Sequence, residues 1–231
     1  MFSSPTRSMT GPNDTGAVGV LGGTFDPVHY AHLRLAEDAR QGLHLAAVVL
    51  IPAGRPPHRA PPATPPQHRL EMVRLAIAGN AAFALDDAEV NADGPSYTIL
   101  TLERLRRRLG SRVPLVLLLG ADAFLGLPAW RRWQELFDYA HIGVAGRPGF
   151  ARGDVPLKPP LAQEYLRRRL TKPDLSGAGA AGAIVEFEMT SLDISASAIR
   201  AQLAAARSVR YLLPDSVLDY IDRHQLYRDG R

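Results

Sequence analysis

Six short apolar runs, separated by stretches of helical spacing and by turn formers, constrain this chain of 231 residues more than any other feature. They are Val18–Leu21, Ala46–Ile51, Phe83–Leu85, Val113–Leu119, His141–Ala145 and Ile184–Phe187. Runs of this kind suit strands buried on both faces, and Val113–Leu119 carries the strongest signal. Between them, one-sided apolar spacing predicts helices. One runs from about His29 to Gln41 and stops at Gly42. Others carry Leu70, Val73 and Ile77, then Ile99, Leu102, Leu105 and Leu109, with Arg106-Arg107-Arg108 on the solvated side. Trp130–Tyr139 and Leu161–Leu170 also read as helical, and Ser195–Ala206 and Pro214–His224 close the chain.

Strands alternating with helices build a mainly parallel sheet covered on both faces. Right-handed crossovers then wind it in both directions. The expectation is an α/β fold with a doubly wound, Rossmann-like parallel sheet and C-terminal helices. Ligands in such sheets sit beyond the carboxyl ends of the strands, where strand order reverses. Function is therefore sought in the residues that follow each strand.

Residues 1–16 are rich in Ser, Thr, Pro, Gly and Asn and read as a loose tail, leaving 17–231 as one domain. No run approaches the ~18–20 apolar residues that cross a membrane, and the start lacks the apolar block of a secretory signal. The absence of cysteine excludes disulfides, thiolate nucleophiles and cysteine-based metal sites, and it fits a cytoplasmic enzyme. The formal net charge of +4 is spread along the chain. It favours phosphate-bearing small molecules no less than nucleic acid. An RNA-binding surface would need interleaved aromatic and basic residues, and no such stripe appears. Neither nucleic acid nor a membrane is expected as a partner, while a homo-oligomer is compatible with the sequence.

Seven of the nineteen prolines lie between Pro52 and Pro66, forming a long stiffened loop after the second strand. Asp174–Ala183 is Gly/Ala-rich and reads as a flexible loop. Asp86, Asp87 and Glu89 read as solvated residues after a strand end. His44, His68, His141 and His224 read as structural or surface residues.

After the first strand the chain runs Gly22-Gly23-Thr24-Phe25-Asp26-Pro27-Val28-His29-Tyr30-Ala31-His32. Two glycines permit a tight turn and close approach to a ligand. A helix starting near Val28 or His29 presents free N–H groups and a partial positive charge, a ready phosphate site. His29 and His32 share a face of its first turn, where two imidazoles can donate to phosphate oxygens. Taken alone, the same residues also suit a plain strand–turn–helix connection with two surface histidines, or a zinc-binding pair without an obvious third ligand. Near the other end lies Ile194-Ser195-Ala196-Ser197-Ala198-Ile199-Arg200. Ser195 suits an N-cap. Ser197 and Arg200 lie on one side of the first turns, so hydroxyl, guanidinium and helix start can together hold phosphate. Taken alone, this is also an ordinary serine-capped helix.

The first string resembles the nucleotidyltransferase signature in which a turn is followed by H/T-x-G-H, with Ala31 where the family usually carries Gly. The second resembles that family's I-S-x-T/S-x-I-R, with Ser197 at the Thr/Ser position. Several further segments resemble the nicotinate-nucleotide adenylyltransferases: Pro56-Pro57-His58-Arg59, Pro95-Ser96-Tyr97-Thr98, Gly120-Ala121-Asp122, Leu127-Pro128-Ala129-Trp130 and Arg147-Pro148-Gly149. The resemblance spans about Val18 to Tyr227. It implies the nucleotidyltransferase variant of the fold, ATP and nicotinate mononucleotide as substrates, and Mg²⁺ bridging the ATP phosphates mostly through water. It also implies an ATP site of Gly22, Gly23, Thr24, Phe25, His29, His32, Gly120, Asp122, Ile194, Ser195, Ser197 and Arg200, with His32, His29 and Arg200 catalytic and no protein metal cage. For the acceptor it implies His58, Arg59 and Arg147 on the phosphate, Thr98 at a helix start for the carboxylate, and Trp130 stacked on the pyridine ring. The competing readings are transfer to nicotinamide mononucleotide or phosphopantetheine, and a non-catalytic nucleotide-binding module.

Overall fold

The structure is a computed structural model that describes residues 16–57, 62–146 and 157–228. Among the described residues, six strands form one parallel sheet: β1 (Val18–Gly23), β2 (Ala47–Pro52), β3 (Phe83–Leu85), β4 (Leu115–Gly120), β5 (His141–Gly146) and β6 (Ile184–Glu188). Their spatial order is β3-β2-β1-β4-β5-β6. The chain winds outward from β1 to β3, then returns to the other side of β1 and winds outward again. Strand order thus reverses between β1 and β4, which pair in parallel through Val18–Leu115, Gly19–Val116 and Val20–Leu117. The doubly wound expectation holds.

The strands read as near-continuous apolar runs because each faces two cores. Along β2, Val48 and Leu50 enter one core while Val49 and Ile51 enter the other. Along β4, Val116 and Leu118 join the first, and Leu115, Leu117 and Leu119 the second. The period-two alternation of side chains makes this division. Helices α1 (Tyr30–Gly42), α2 (Pro66–Ile77), α7 (Ala196–Ala204) and α8 (Asp215–Arg223) cover the first face. Helices α3 (Thr98–Leu109), α4 (Ala121–Leu125), α5 (Leu136–Tyr139) and α6 (Leu161–Arg168) cover the second. Among the described residues, no helix is long and apolar enough to cross a membrane.

Three regions depart from the sequence expectation. Trp130–Tyr139 is not one helix. Arg132 takes a left-handed φ of 53°, dividing a single 3-10 turn (Trp133–Glu135) and the short α5 from what precedes them. Residues 174–183 are held in place rather than loose. Ala180 accepts from the Leu115 N–H, Gly182 donates to Ala140, and Gly179 accepts from His141. Gly177, Gly179 and Gly182 sit at φ of 81°, 77° and 102°, so these glycines supply backbone shape.

Arg106 is the third departure. It leaves the solvated side of α3 and donates to the carbonyls of Val113 (2.6 Å), Gly110 (3.1 Å), Ala180 (3.1 Å) and Tyr139. One guanidinium thereby closes four loop carbonyls at the bottom of the sheet. Arg106→Met keeps the stem and leaves those acceptors to find water. It should cost about 2–3 kcal/mol in urea unfolding, as for bonds to a charged group; a loss below about 0.5 kcal/mol would deny the clamp.

Candidate active site

The expected turn at Gly22-Gly23 lies slightly later. Both glycines are the last residues of β1, in register with Ile51 and Pro52. The chain turns at Thr24–Pro27, where Phe25 adopts φ 50° and folds its buried ring back. A Cβ on Gly23 would stand 2.9 Å from that ring, so the glycine makes room for Phe25. On Gly22 or Gly120, at the ends of neighbouring β1 and β4, a Cβ would meet nothing within 4 Å. These two strand ends border open space at the point where strand order reverses, the expected ligand position in such sheets.

His29 is the N-cap of α1, one residue before the helix, and His32 occupies its first turn. The His29 N–H donates to His32 Nδ1 at 3.3 Å. A neutral His32 ring accepting there carries its proton on Nε2. The two imidazoles stack with centroids 3.8 Å apart, and the Phe25 ring meets His32 edge-on at 5.0 Å. His29 is 5% exposed, and its Nδ1 is buried without a hydrogen-bond partner among the described residues. Burial lowers its pKa from 6.5 to about 4, so the ring is neutral at pH 7.

At the second string, Ser195 caps α7, its Oγ accepting from Ala198 N at 3.2 Å. Ser197 Oγ lies 3.2 Å from Ser195 Oγ, both exposed, while Ile199 anchors the helix in the core. Ile194 is half-buried just ahead of them. Arg200 crosses the sequence gap: its Nη1 donates to the Asp26 carbonyl at 2.7 Å. The starts of α7 and α1 therefore meet beside the end of β1.

Two residues that sequence reasoning passed over hold this meeting point. Asp26 is buried. Its Oδ2 accepts from Ala63 N at 2.9 Å and its Oδ1 from the Tyr227 hydroxyl at 2.6 Å. Arg69 is fully buried and donates to the carbonyls of Thr24 (2.6 Å), Gly54 (3.0 Å) and Thr64 (3.1 Å). Its signal was present. Arg69 stands in line with Met72, Val73 and Ile77 on the buried stripe of α2, where a charge needs dedicated partners. Tyr227 carried no comparable signal.

On the acceptor side, Thr98 opens α3 behind Tyr97. Ser96 Oγ accepts from Gly54 N (2.9 Å) and Arg55 N (3.2 Å), tying the loop after β2 to this helix start. Gly54 lacks room for a Cβ, which would stand 2.1 Å from the Glu89 carbonyl. The Arg131 guanidinium lies 4.7 Å from the Tyr97 ring centroid, and the preceding Trp130 is half-buried against the second core. Asp122 is exposed in the first turn after β4. His58, Arg59 and Arg147 lie outside the described residues. The expectation of a solvated Asp86 and Glu89 fails. Asp86 is buried and paired with Arg104 (2.6 Å) and Arg108 (3.0 Å), while Glu89 accepts from Thr101 and is pushed up by burial. Both lie against α3, so their charges are spent on packing that helix.

Strand order, the β1/β4 crevice and the paired helix starts define a nucleotidyltransferase of the doubly wound class. Residues 20–202 match the Cytidylyltransferase-like family. The chain is 56% identical over 215 residues to a probable nicotinate-nucleotide adenylyltransferase of Dechloromonas aromatica, covering 92% of this chain and 98% of that protein. A protein of the same description from Halorhodospira halophila is 50% identical over 200 residues, covering 87% and 90%. In fold, the chain is similar to the Plasmodium falciparum nicotinic acid mononucleotide adenylyltransferase complexed with NaAD. The TM-score is 0.68 at 16% identity, over 92% of this chain and 97% of that one. The chain belongs to the cytidylyltransferase-like family and, within it, to the nicotinate-nucleotide adenylyltransferases.

The depressed pKa of His29 has a thermodynamic consequence. Between pH 6.5 and about 4 the unfolded chain binds a proton there that the folded protein refuses. Stability from this group is complete above pH 6.5 and is lost as pH falls towards 4, by at most about 3 kcal/mol. Urea unfolding over that range should show the loss, and His29→Asn, which still suits an N-cap, should flatten it. An unchanged slope in the variant would remove His29 as its source.

Proposed function

We propose that this protein transfers AMP from ATP to nicotinate mononucleotide, giving nicotinate adenine dinucleotide and pyrophosphate in NAD biosynthesis. The observation that carries the reading is the bond from Arg200 to the Asp26 carbonyl. It joins two helix starts, two imidazoles and a guanidinium at one strand end, a combination suited to a triphosphate. The relatives named nicotinate-nucleotide adenylyltransferase support the acceptor. The lack of cysteine fits a cytoplasmic setting.

In this reading the acceptor's 5′-phosphate oxygen attacks the α-phosphorus in line, and the bond to pyrophosphate breaks. The attacking oxygen is already anionic, so no general base or protein nucleophile is needed. Positioning and charge neutralisation carry the catalysis. His32 Nε2–H donates to an α-phosphate oxygen as charge builds there. Neutral His29, at the N-cap of α1, helps hold the triphosphate. Ser197 and Arg200 take the departing phosphates, with Ser195 and the backbone at Ile194 beside them. The Gly22–Phe25 backbone borders the phosphates, and Gly120 and Asp122 meet the nucleotide. Thr98 and the start of α3 receive the nicotinate carboxylate, Trp130 stacks on its ring, and His58, Arg59 and Arg147 engage its phosphate. Bound with ATP, Mg²⁺ would supply charge neutralisation, and no residue of this chain is assigned to hold it. Among the described residues there is no group of three His, Asp or Glu that could hold a metal ion.

Pyrophosphate release measured with each acceptor tests the reading. Nicotinate mononucleotide should exceed nicotinamide mononucleotide in kcat/KM by about 100-fold or more, because a site built for a charge is left unpaired by the neutral analogue. Equal use of both would refute it. His32→Ala should lower kcat by about 100-fold while changing the KM for ATP far less, as for loss of an oxyanion donor. Unchanged turnover would take His32 out of the mechanism.

A further inference from the structure

Tyr227, just beyond α8, lies far in sequence from every motif above, yet its hydroxyl donates to Asp26 Oδ1 at 2.6 Å. Asp26 follows directly on Thr24 and Phe25, and it is itself a junction. Its other carboxylate oxygen takes the N–H of Ala63, and its carbonyl takes Arg200. The Thr64 side chain, beside Ala63, acts on the same phenol, opposing the rise in its pKa. One phenol therefore reaches both the loop after β1 and the strap that leads into α2. The backbone is bent to bring it there: Gln225 and Tyr227 have φ of 54° and 61°, a region non-glycine residues hold only where surrounding contacts impose it. Burial and the Asp26 carboxylate push the phenol above its ordinary pKa, so it remains a donor throughout the neutral range.

We propose that Tyr227 is a positioning residue for the ATP loop. Through Asp26 its hydroxyl holds residues 24–27 and the strap at 62–64 as one unit, and so presents the Asp26 carbonyl that orients Arg200. The inference rests on the reading that ATP binds at this loop. A Tyr227 that merely filled space would act through its ring alone, which packs against the first core.

Tyr227→Phe separates the two, since it keeps the ring and removes the hydroxyl. ATP titration by calorimetry should show a roughly tenfold weaker Kd, the order expected for one hydrogen bond to a charged group. The KM for ATP should rise alongside, with the acceptor KM moving less than about twofold. Amide exchange at Thr24, Phe25 and Asp26 and at Ala63 and Thr64 should accelerate together while the sheet stays protected. In an Asp26→Asn background the same substitution should add little further loss of ATP affinity, because Tyr227 acts through that carboxylate. An unchanged ATP Kd in Tyr227→Phe, even with a lower Tm, would overturn the proposal. So would fully additive effects of the two substitutions. The titration needs no acceptor. A wrong acceptor would therefore silence pyrophosphate release in the unmodified protein while leaving the ATP titration to judge Tyr227.

Discussion

The region beyond the end of β1 is organised around a buried carboxylate that must be satisfied. Removing Asp26 from water is unfavourable unless its oxygens find donors, and the donors it finds come from three distant stretches of chain. Ala63 and Tyr227 approach the carboxylate, and Arg200 approaches the carbonyl. Arg69 is the complement of this arrangement. A fully buried guanidinium gathers the carbonyls of Thr24, Gly54 and Thr64. The charged groups meet the loops directly, with each nitrogen of the guanidinium and each oxygen of the carboxylate hydrogen-bonded. The result is a loop whose outward acceptors at Thr24 and Asp26 are held, leaving its shape little freedom. A catalytic device that works by positioning depends on that rigidity.

Charge is distributed with similar economy. The imidazole at the N-cap of α1 sits too deep to be protonated at neutral pH, so it adds no cation to the interior. Permanent positive charge enters at Arg200, near the exposed Ser195 and Ser197. A helix start already carries a partial positive charge. A neutral imidazole at the start of α1 and a guanidinium on α7 bonded to the Asp26 carbonyl leave this meeting point without an unpaired buried charge.

Much of the fold was legible because its strands are buried on both faces, and that produces apolar runs that no surface element shares. Even Phe83–Leu85, only three residues, emerged as a strand. The failures have a common cause. Arg106 lies on the polar side of an amphipathic helix, and nothing local reveals that four carbonyls converge on it. Asp86 and Glu89 look solvated until α3 packs over them. Gly and Ala between 174 and 183 signal freedom by composition, yet the same left-handed glycines let the segment fit against His141 and Leu115. Of the candidate site, both helix starts with their histidines, serines and arginine could be singled out in sequence, because capping and phosphate chemistry are local, and the Arg200–Asp26 bond brings the two strings together. Asp26 and Arg69 were visible as letters but not as parts of the site.

By itself, the order of residues determined the alternation of strands and helices, the parallel sheet they build, and the capped helix starts that follow its strands. These follow from period, caps and side-chain type, which act within a few residues. Tertiary structure alone decided which distant groups share an atom: that Arg200 reaches Asp26, that Tyr227 does so from the opposite end, and that Arg69 gathers three carbonyls from the connections after β1 and β2. Those contacts exist because buried polar atoms must be paired. Which partner is near enough is set by the packing of the whole chain, and no local stretch of sequence carries that information.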